Sequence, residues 1–580
     1  MNEYKGIIVS PGISVGKVYL FREEKITIPK YAIAVHQISH EIERFVQAVE
    51  SAITEISQLK EKYAHQMGEQ EKKLLDSHVL MLSDPVFKED IGKKVGEKQV
   101  NVEWSLLQVI DDFIEKMNES SDEYMMARSL DFHDVSKRVM RHLLLSERMS
   151  LADLQEEVII VAHNLLPSDA ISMNKAMVKG IALDLGSKTS HTAILARAFN
   201  IPAVLGLSDI SQQVNQNDEI IVDGNKGVVI VSPDKETKAK YHSTQVKWHK
   251  HEKKLMDLKT VQAETKDGQV VQLEANIEVA EEVNSVLAYG ASGIGLFRSE
   301  FLFMQPSTMP SEEEQFRTYR NVLEAMKGKS VTIRTLDLGG EKVFPGIDIQ
   351  EEDNPILGWR AVRFCIAKPE IFKIQLRAIL RASVYGNCKI MFPMISGIEE
   401  LLQTLDILQQ VKKDLKRENI QFDEKISVGA MIEVPSAALT SDILAKKVDF
   451  FSIGTNDLIQ YTIAVDRSNE KIAYLYEPFH PGVLRLLKTI IDNAHQAGIT
   501  VSMCGEMAGD PAATVVLLGL GLDHFSMSSF SIPEIKNIIR SVDSGEAKQL
   551  VEKILSMSFA AEITEYVENW MEAHLAKVFN

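Results

Sequence analysis

The spacing of hydrophobic and polar positions changes along the chain, and each change predicts a different kind of element. Residues 1–20 form short apolar stretches broken at Pro11-Gly12, which predicts short strands with a turn between them. Ile42, Phe45, Val46, Val49, Ile53 and Ile56 then recur at spacings of three and four, the period of an amphipathic helix. Helical text continues to about residue 146, punctuated by Pro85, and predicts an all-helical block with a long helix pair. From about residue 155 the period shortens. EVIIVAH and VKGIALDL read as strands, HTAILARAFN as a helix and IPAVLGL as a short strand. IIVDGNKGVVIVSP reads as a hairpin turning near Gly224 and Asn225. This is a compact α/β unit to which residues 1–20 are expected to belong, which makes the helical block an insertion. Residues 234–260 are rich in Lys and His, lack Gly and Pro, and suit a solvated linker helix.

After residue 265 strands and helices alternate. Apolar cores stand out in VVQLEANI, GIGLFR, VTIRTL, KIMFPM, SVGAMIE, DFFSIG, ITVSMCG and DHFSMS, with helical text between most of them. Eight such units predict a (β/α)₈ barrel; an open doubly wound sheet is the alternative.

Composition narrows the function classes. The chain has 580 residues, 45% of them apolar, so it can bury sizeable cores and suits about three or four domains. Its formal net charge of −18 argues against sequence-independent binding to nucleic acid. The three cysteines, Cys365, Cys388 and Cys504, form no CxxC pair, so neither a disulfide framework nor a zinc cluster is expected. No apolar run is long enough to span a membrane, and the N-terminus lacks the charged and apolar regions of a secretory signal. A reducing, cytoplasmic location is expected.

Chemistry in such a barrel sits where strands end. Arg298 closes GIGLFR, Arg334 lies in VTIRTLDLGG, Glu433 closes SVGAMIE, and Asn456 and Asp457 follow DFFSIGT. Arg467 comes ten residues after Asp457, and Cys504 follows ITVSM. A single Arg is more often a surface ion pair. Three guanidiniums, two carboxylates and a thiol converging on one face suit a small, doubly anionic phosphorylated acid. Two carboxylates suffice for Mg²⁺ when substrate oxygens complete its octahedron. In the α/β unit, LGSKTSHTAILARA puts Gly186, Thr189, Ser190 and His191 at a strand-to-helix turn, a place that favours anions. His191 there could carry a phosphoryl group, whereas a lone histidine more often caps or packs. Ser187 interrupts any P-loop, and GASGIG is too weak a pattern for a dinucleotide site.

The motifs resemble a known family over nearly the full length. KTSHTAILAR is similar to the phosphohistidine signature of the enzyme I family of the bacterial phosphoenolpyruvate-dependent sugar phosphotransferase system. GIGLFRSEFLFM, RTLDLGGEK, NPILGWRAVR, IEVPSAA, SIGTNDLIQYTIAVDR and MCGEMAGD resemble its phosphoenolpyruvate-binding motifs, in that family's order. The resemblance implies a multidomain α/β chain. A swivelling phosphohistidine domain (1–20 and 147–233) would carry an all-helical insertion (21–146) that binds the phosphocarrier protein HPr. A linker helix (234–262) would lead to a TIM-type (β/α)₈ barrel (263–580) that binds substrate and forms a homodimer.

The resemblance also implies roles. His191 would accept the phosphoryl group, supported by Thr189, and Cys504 would protonate the enolate to give pyruvate. Arg298, Arg334, Asn456 and Arg467 would hold phosphoenolpyruvate, and Glu433 and Asp457 would ligate Mg²⁺. Cys365 and Cys388 are expected to be packed residues. His78, Asp84 and Arg128 are candidate contacts for HPr; the alternative for His78 is packing between helices. Two departures stand out: Ser187-Lys188 where the family usually has Gly and Arg, and Phe132-His133-Asp134 where an Arg commonly precedes the Asp. Rival readings are a pyruvate phosphate dikinase or phosphoenolpyruvate synthase, which would need an ATP-binding domain, and a regulatory protein that has lost catalysis.

Overall fold

The computed structural model describes residues 2–21, 28–62, 69–118, 123–144, 151, 154–165, 173–174, 176–186, 192–193, 196, 201–304, 309–338, 352, 354–467, 469 and 471–579. The chain forms two compact units, Met1–His251 and Glu252–Asn580.

In the first unit, strands from both ends of the segment build one sheet. They are β1 (Asn2–Lys5), β2 (Ile7–Ser10), β3 (Ile13–Phe21), β4 (Val158–Ala162), β5 (Val178–Leu183), β6 (Ala203–Leu205), β7 (Glu219–Asp223) and β8 (Val228–Val231). Their order is β1-β8-β7-β3-β4-β5-β6-β2. The central strands β3, β4, β5 and β6 run parallel, and alternate residues of β4 and β5 enter two separate apolar cores, as a sheet covered on two sides requires. β7 and β8 form the expected hairpin.

β2 and β3 do not pair with each other across Pro11-Gly12. β2 pairs with β6, and β3 pairs with β7 and β4. The turn is a corner, with Gly12 at φ +117° against the Pro202 ring. β1 and β2 lie at opposite edges of the sheet although only Gly6 separates them. Gly6 N donates to Gly227 O at 2.9 Å. A Cβ at Gly6 would stand 2.5 Å from Leu205 O, so the chain passes between the two edges only as glycine.

Between β3 and β4 the chain forms a bundle of α1 (Ile38–Lys62), α2 (Glu69–Ser83), α3 (Pro85–Lys98), α4 (Val102–Asn118) and α5 (Glu123–Leu144). The expected helix pair is therefore five helices among the described residues, with Pro85 opening α3. Phe45, Val49 and Ile56 of α1 meet Leu75, Leu82, Val95, Leu106 and Val139 in one core.

The second unit is a closed barrel of eight parallel strands. These are β9 (Gln272–Ile277), β10 (Gly293–Arg298), β11 (Ser330–Arg334), β12 (Cys388–Phe392), β13 (Ser427–Ile432), β14 (Phe450–Ile453), β15 (Thr500–Met503) and β16 (His524–Met527). Each matches one of the apolar runs in the sequence. Closure is explicit in the pairing of β16 with β9, from His524↔Gln272 to Met527↔Ala275, which excludes the open sheet. Helices surround the strands, and the main core lies between the two layers. Inside the barrel, Leu296, Met391, Met431, Phe450 and Cys504 form a separate small cluster. Phe450 fits because its neighbour is Gly429, where a Cβ would come 2.4 Å from the ring. Among the described residues no helix is long and apolar enough to cross a membrane.

A candidate active site at the mouth of the barrel

The sequence singled out seven barrel residues, and all seven line one cavity of about 320 Å³. Strand ends bring them there. Arg298 ends β10, Arg334 ends β11, Glu433 follows β13 and Cys504 follows β15. Asn456 and Asp457 open the helix Thr455–Ile463 directly after β14.

The cavity contains a fourth guanidinium, Arg360, and a carboxylate, Asp337, that the strand-end reading missed. Arg360 Nη2 sits 2.9 Å and 3.1 Å from the two Asp337 oxygens and 3.5 Å from Asp457 Oδ2. Asp337 also meets Arg334 Nη1 at 3.0 Å, and Arg334 Nη2 is paired with buried Glu300. Arg298 Nη1 is held by Glu278 at 2.7 Å, and Arg467 lies 3.6 Å from Glu506. Each cation thus has an acid beside it, buried for Arg334 and exposed for Arg467. Asp337 and Glu300 follow β11 and β10 within a few residues, and Arg360 lies in the NPILGWRAVR motif. That motif was the one signal for Arg360, since no strand ends there.

Glu433 is buried, and its Oε1 accepts the Met394 N–H at 2.6 Å. Gly454 makes room for it; a Cβ there would lie 2.6 Å from Glu433 Oε2. Burial, then the charges of Asp457 and Asp337, push the Glu433 carboxyl up to about 8. A divalent cation would relieve this crowding. Glu433 and Asp457 could supply two oxygen ligand residues; Asp337 is ion-paired to both Arg334 and Arg360, and Asp457 to Arg360 alone. No group of three His, Cys, Asp or Glu side chains arranged for a metal occurs among the described residues. The donor set therefore fits a hard cation completed by substrate and water oxygens.

Cys504 is buried at the cavity wall. Its N–H donates to Ile453 O at 3.1 Å, and the Ser452 hydroxyl donates to Sγ at 3.3 Å. Burial raises the thiol above its ordinary value, outweighing the Ser452 hydrogen bond, so a proton stays on sulfur at neutral pH. Asn276 Nδ2 holds the Cys504 carbonyl at 2.9 Å. Cys388 starts β12 at the other end of the barrel and Cys365 lies in the helix Val362–Ala367; both are buried. Asn456 faces Glu506, whose N–H donates to Asn456 Oδ1 at 3.0 Å.

His191 and Thr189 lie outside the described residues. The backbone leading to them turns at Gly186, φ +127°, where a Cβ would meet the Leu205 side chain at 2.9 Å. His78 is fully buried in the helical bundle, as packing between helices would require. Asp84 is exposed between α2 and α3, and Arg128 lies in α5.

Comparison with known proteins agrees with this layout. The family described as PEP-utilising enzyme, PEP-binding domain, matches residues 252–544. PEP-utilising enzyme, N-terminal, matches residues 5–128, and PEP-utilising enzyme, mobile domain, matches residues 154–227. The chain is 44% identical over 569 residues to the phosphoenolpyruvate-protein phosphotransferase of Listeria monocytogenes serovar 1/2a (strain ATCC BAA-679 / EGD-e), covering 98% of this chain and 99% of that one. It is 43% identical over 571 residues to the protein of the same name from Bacillus subtilis (strain 168), with the same coverage. A solution structure named Enzyme I (nEIt) is 38% identical, with TM-score 0.38, over 42% of this chain and 99% of that chain. Relatives matched almost end to end, and domain matches in both units, lead to one conclusion: the chain belongs to the phosphoenolpyruvate-protein phosphotransferase, or enzyme I, family of PEP-utilising enzymes.

Proposed function

We propose that the chain takes the phosphoryl group of phosphoenolpyruvate onto His191, releases pyruvate, and passes the group to the phosphocarrier protein HPr. The observation that carries this reading is one cavity lined by four guanidiniums, the acids Glu433 and Asp457 and the Cys504 thiol. Phosphoryl transfer needs positioning and charge neutralisation more than covalent help. Arg298, Arg334 and Arg467, with Asn456, hold the phosphate and carboxylate of the substrate. Neutral His191 attacks phosphorus in line, forming the N–P bond as the P–O bond to the enolate breaks. Cys504 then gives its proton to the enolate carbon, a positioned general acid.

Enzymes of this family use a divalent metal ion, which we read as Mg²⁺ held by Glu433 and Asp457. When bound, it supplies positive charge against the developing enolate and phosphoryl oxygens. The helical bundle is the proposed HPr-docking element. With His78 buried, Asp84 and Arg128 are the remaining contact candidates. The barrel is the proposed homodimer interface, and the setting is cytoplasmic.

Labelled phosphoenolpyruvate should leave acid-labile ³²P on the protein together with stoichiometric pyruvate, and labelled ATP should leave none. His191→Ala should abolish the label while phosphoenolpyruvate still binds. Labelling of that variant would assign the phosphoryl group to another residue.

A further inference from the structure

A second histidine in the first unit has the surroundings of a nucleophile. His163 follows β4, and Asp184 follows the adjacent parallel strand β5. His163 Nδ1 lies 2.9 Å from Asp184 Oδ2. A carboxylate accepts, so the Nδ1 proton is directed at Asp184, and the neutral form of the ring then has its lone pair on Nε2. Asp184 cannot turn away. Its Oδ1 accepts the Ser211 N–H at 2.8 Å and its Oδ2 the Ser211 hydroxyl at 2.5 Å. The backbone is pinned as well: Leu185 N donates to His163 O at 3.0 Å, and Asp184 N to Ala162 O at 3.1 Å.

Accessibility completes the arrangement. The His163 side chain is 53% exposed, whereas the Asp184 side chain is 0% exposed. A carboxylate removed from water acts on the imidazole at a lower dielectric than one at the surface. Among the described residues, His524 also pairs with a buried acid, Glu274, but at 3.4 Å and with its own side chain only 19% exposed, and two other acid-paired histidines differ in the acid. His495 pairs with Asp523, which is itself 33% exposed. His142 shares Glu55 with Arg138, which dilutes the carboxylate's charge. The bland alternative is that His163 only counters the buried charge of Asp184. That role would not require half of the His163 side chain to stand in solvent. The place is also suggestive, since ligands of parallel α/β sheets gather at the carboxyl ends of the strands.

We propose that His163 is a second phosphoryl-accepting residue, oriented by Asp184 and charged at Nε2 by small donors with a good leaving group, of the acyl phosphate or phosphoramidate class. The Nε2 lone pair attacks phosphorus, and the donor's P–O or P–N bond breaks. The leaving group departs with that electron pair and takes a proton from water. The Nδ1 proton stays directed at Asp184, whose charge stabilises the cationic ring.

The test uses the full chain with His191→Ala and potassium phosphoramidate as the only donor. Labelled positions are mapped by mass spectrometry over time, and ³¹P NMR distinguishes Nε2 from Nδ1 phosphohistidine. His163 should label roughly tenfold faster or more than His495 and the exposed His242, a modest share of the 10²–10⁴ a positioned group contributes. The adduct should be on Nε2, and His163→Gln should remove it. A smaller rate advantage, or label on Nδ1, overturns the proposal. The outcome is independent of phosphoenolpyruvate, so failure here and failure of the proposed function are separable.

Discussion

In the proposed mechanism the thiol of Cys504 holds a proton until an enolate is within reach, and its surroundings suit that. Burial beside Met431 and Leu296 keeps it neutral, and the Ser452 hydroxyl fixes sulfur without taking the proton away. Cys504→Ser should therefore slow pyruvate release roughly 10²–10⁴-fold while phosphoenolpyruvate affinity changes little. Turnover within about twofold of the parent would remove Cys504 from the role. Glu433 gives a pH prediction. Its folded value of about 8 stands above the ordinary 4.5, so protonation favours the folded state. That contribution is complete below the ordinary value and is lost as pH rises through about 8. Metal-free protein should show the barrel melting at a lower temperature near pH 9 than near pH 6, and Mg²⁺ should restore most of the difference. In Glu433→Gln the two melts should nearly coincide; an unchanged pH slope would mean the carboxyl is already ionised. At this scale the sequence was legible where a residue ends a strand and opaque where it supports one. Glu300 and Asp337 are recognisable only from the arginines they hold. His78 was readable in principle, since Leu75 and Leu82 lie on the same helical stripe and both are buried.

Among the elements, the turns leaving β14 and β15 matter most, because they meet. Gly505 is packed against Thr455: a Cβ there would be 1.8 Å from Thr455 Oγ1 and 2.7 Å from Thr455 N. Gly505→Ala should push the Cys504 turn away from the helix that carries Asn456 and Asp457. A shift of about 1 Å at reacting groups costs on the order of 10²-fold in kcat/KM. The barrel itself should remain folded, as circular dichroism would show; unchanged kinetics would mean the turn yields without moving Cys504. The strands were the most legible elements. Parallel strands covered on both faces read as apolar runs, plainest in β10 and β14, while β9 was legible despite Gln272, Glu274 and Asn276 between its apolar residues. The helical block was read as helix but not counted, because periodicity marks a helix's buried face and not where α2, α3 and α4 turn back. The Pro11-Gly12 corner was seen as a turn, but which strands β2 and β3 join depends on residues far along the chain.

For the whole molecule, the division into Met1–His251 and Glu252–Asn580 puts His191 and the barrel cavity in different units, so the proposed function predicts separable half-reactions. The first fragment should exchange phosphate with phospho-HPr and ignore phosphoenolpyruvate. The second should bind phosphoenolpyruvate without retaining its phosphoryl group. NMR titration of the first fragment with HPr should move resonances of the helical bundle first. Shifts confined to the sheet would make the bundle a structural insertion. Catalysis restored by simply mixing the fragments would show that the covalent link is dispensable.

Gly6 also imposes an order of events in time. A nascent chain exposes β1, β2 and β3 first, yet their partners lie between Val158 and Val231. At roughly 5–20 residues per second, those strands wait on the order of ten seconds or more on the ribosome. The helices of residues 38–144 need no such wait, because the described core they form draws only on residues between Ile28 and Leu144. The bundle can therefore be finished while Ile7, Ile8 and Val9 remain unpaired and open to chaperones or to other chains. Any delay in synthesis before Val228 lengthens that exposure, so slow translation of the middle of the chain should lower the yield of native protein more than slow translation of the barrel.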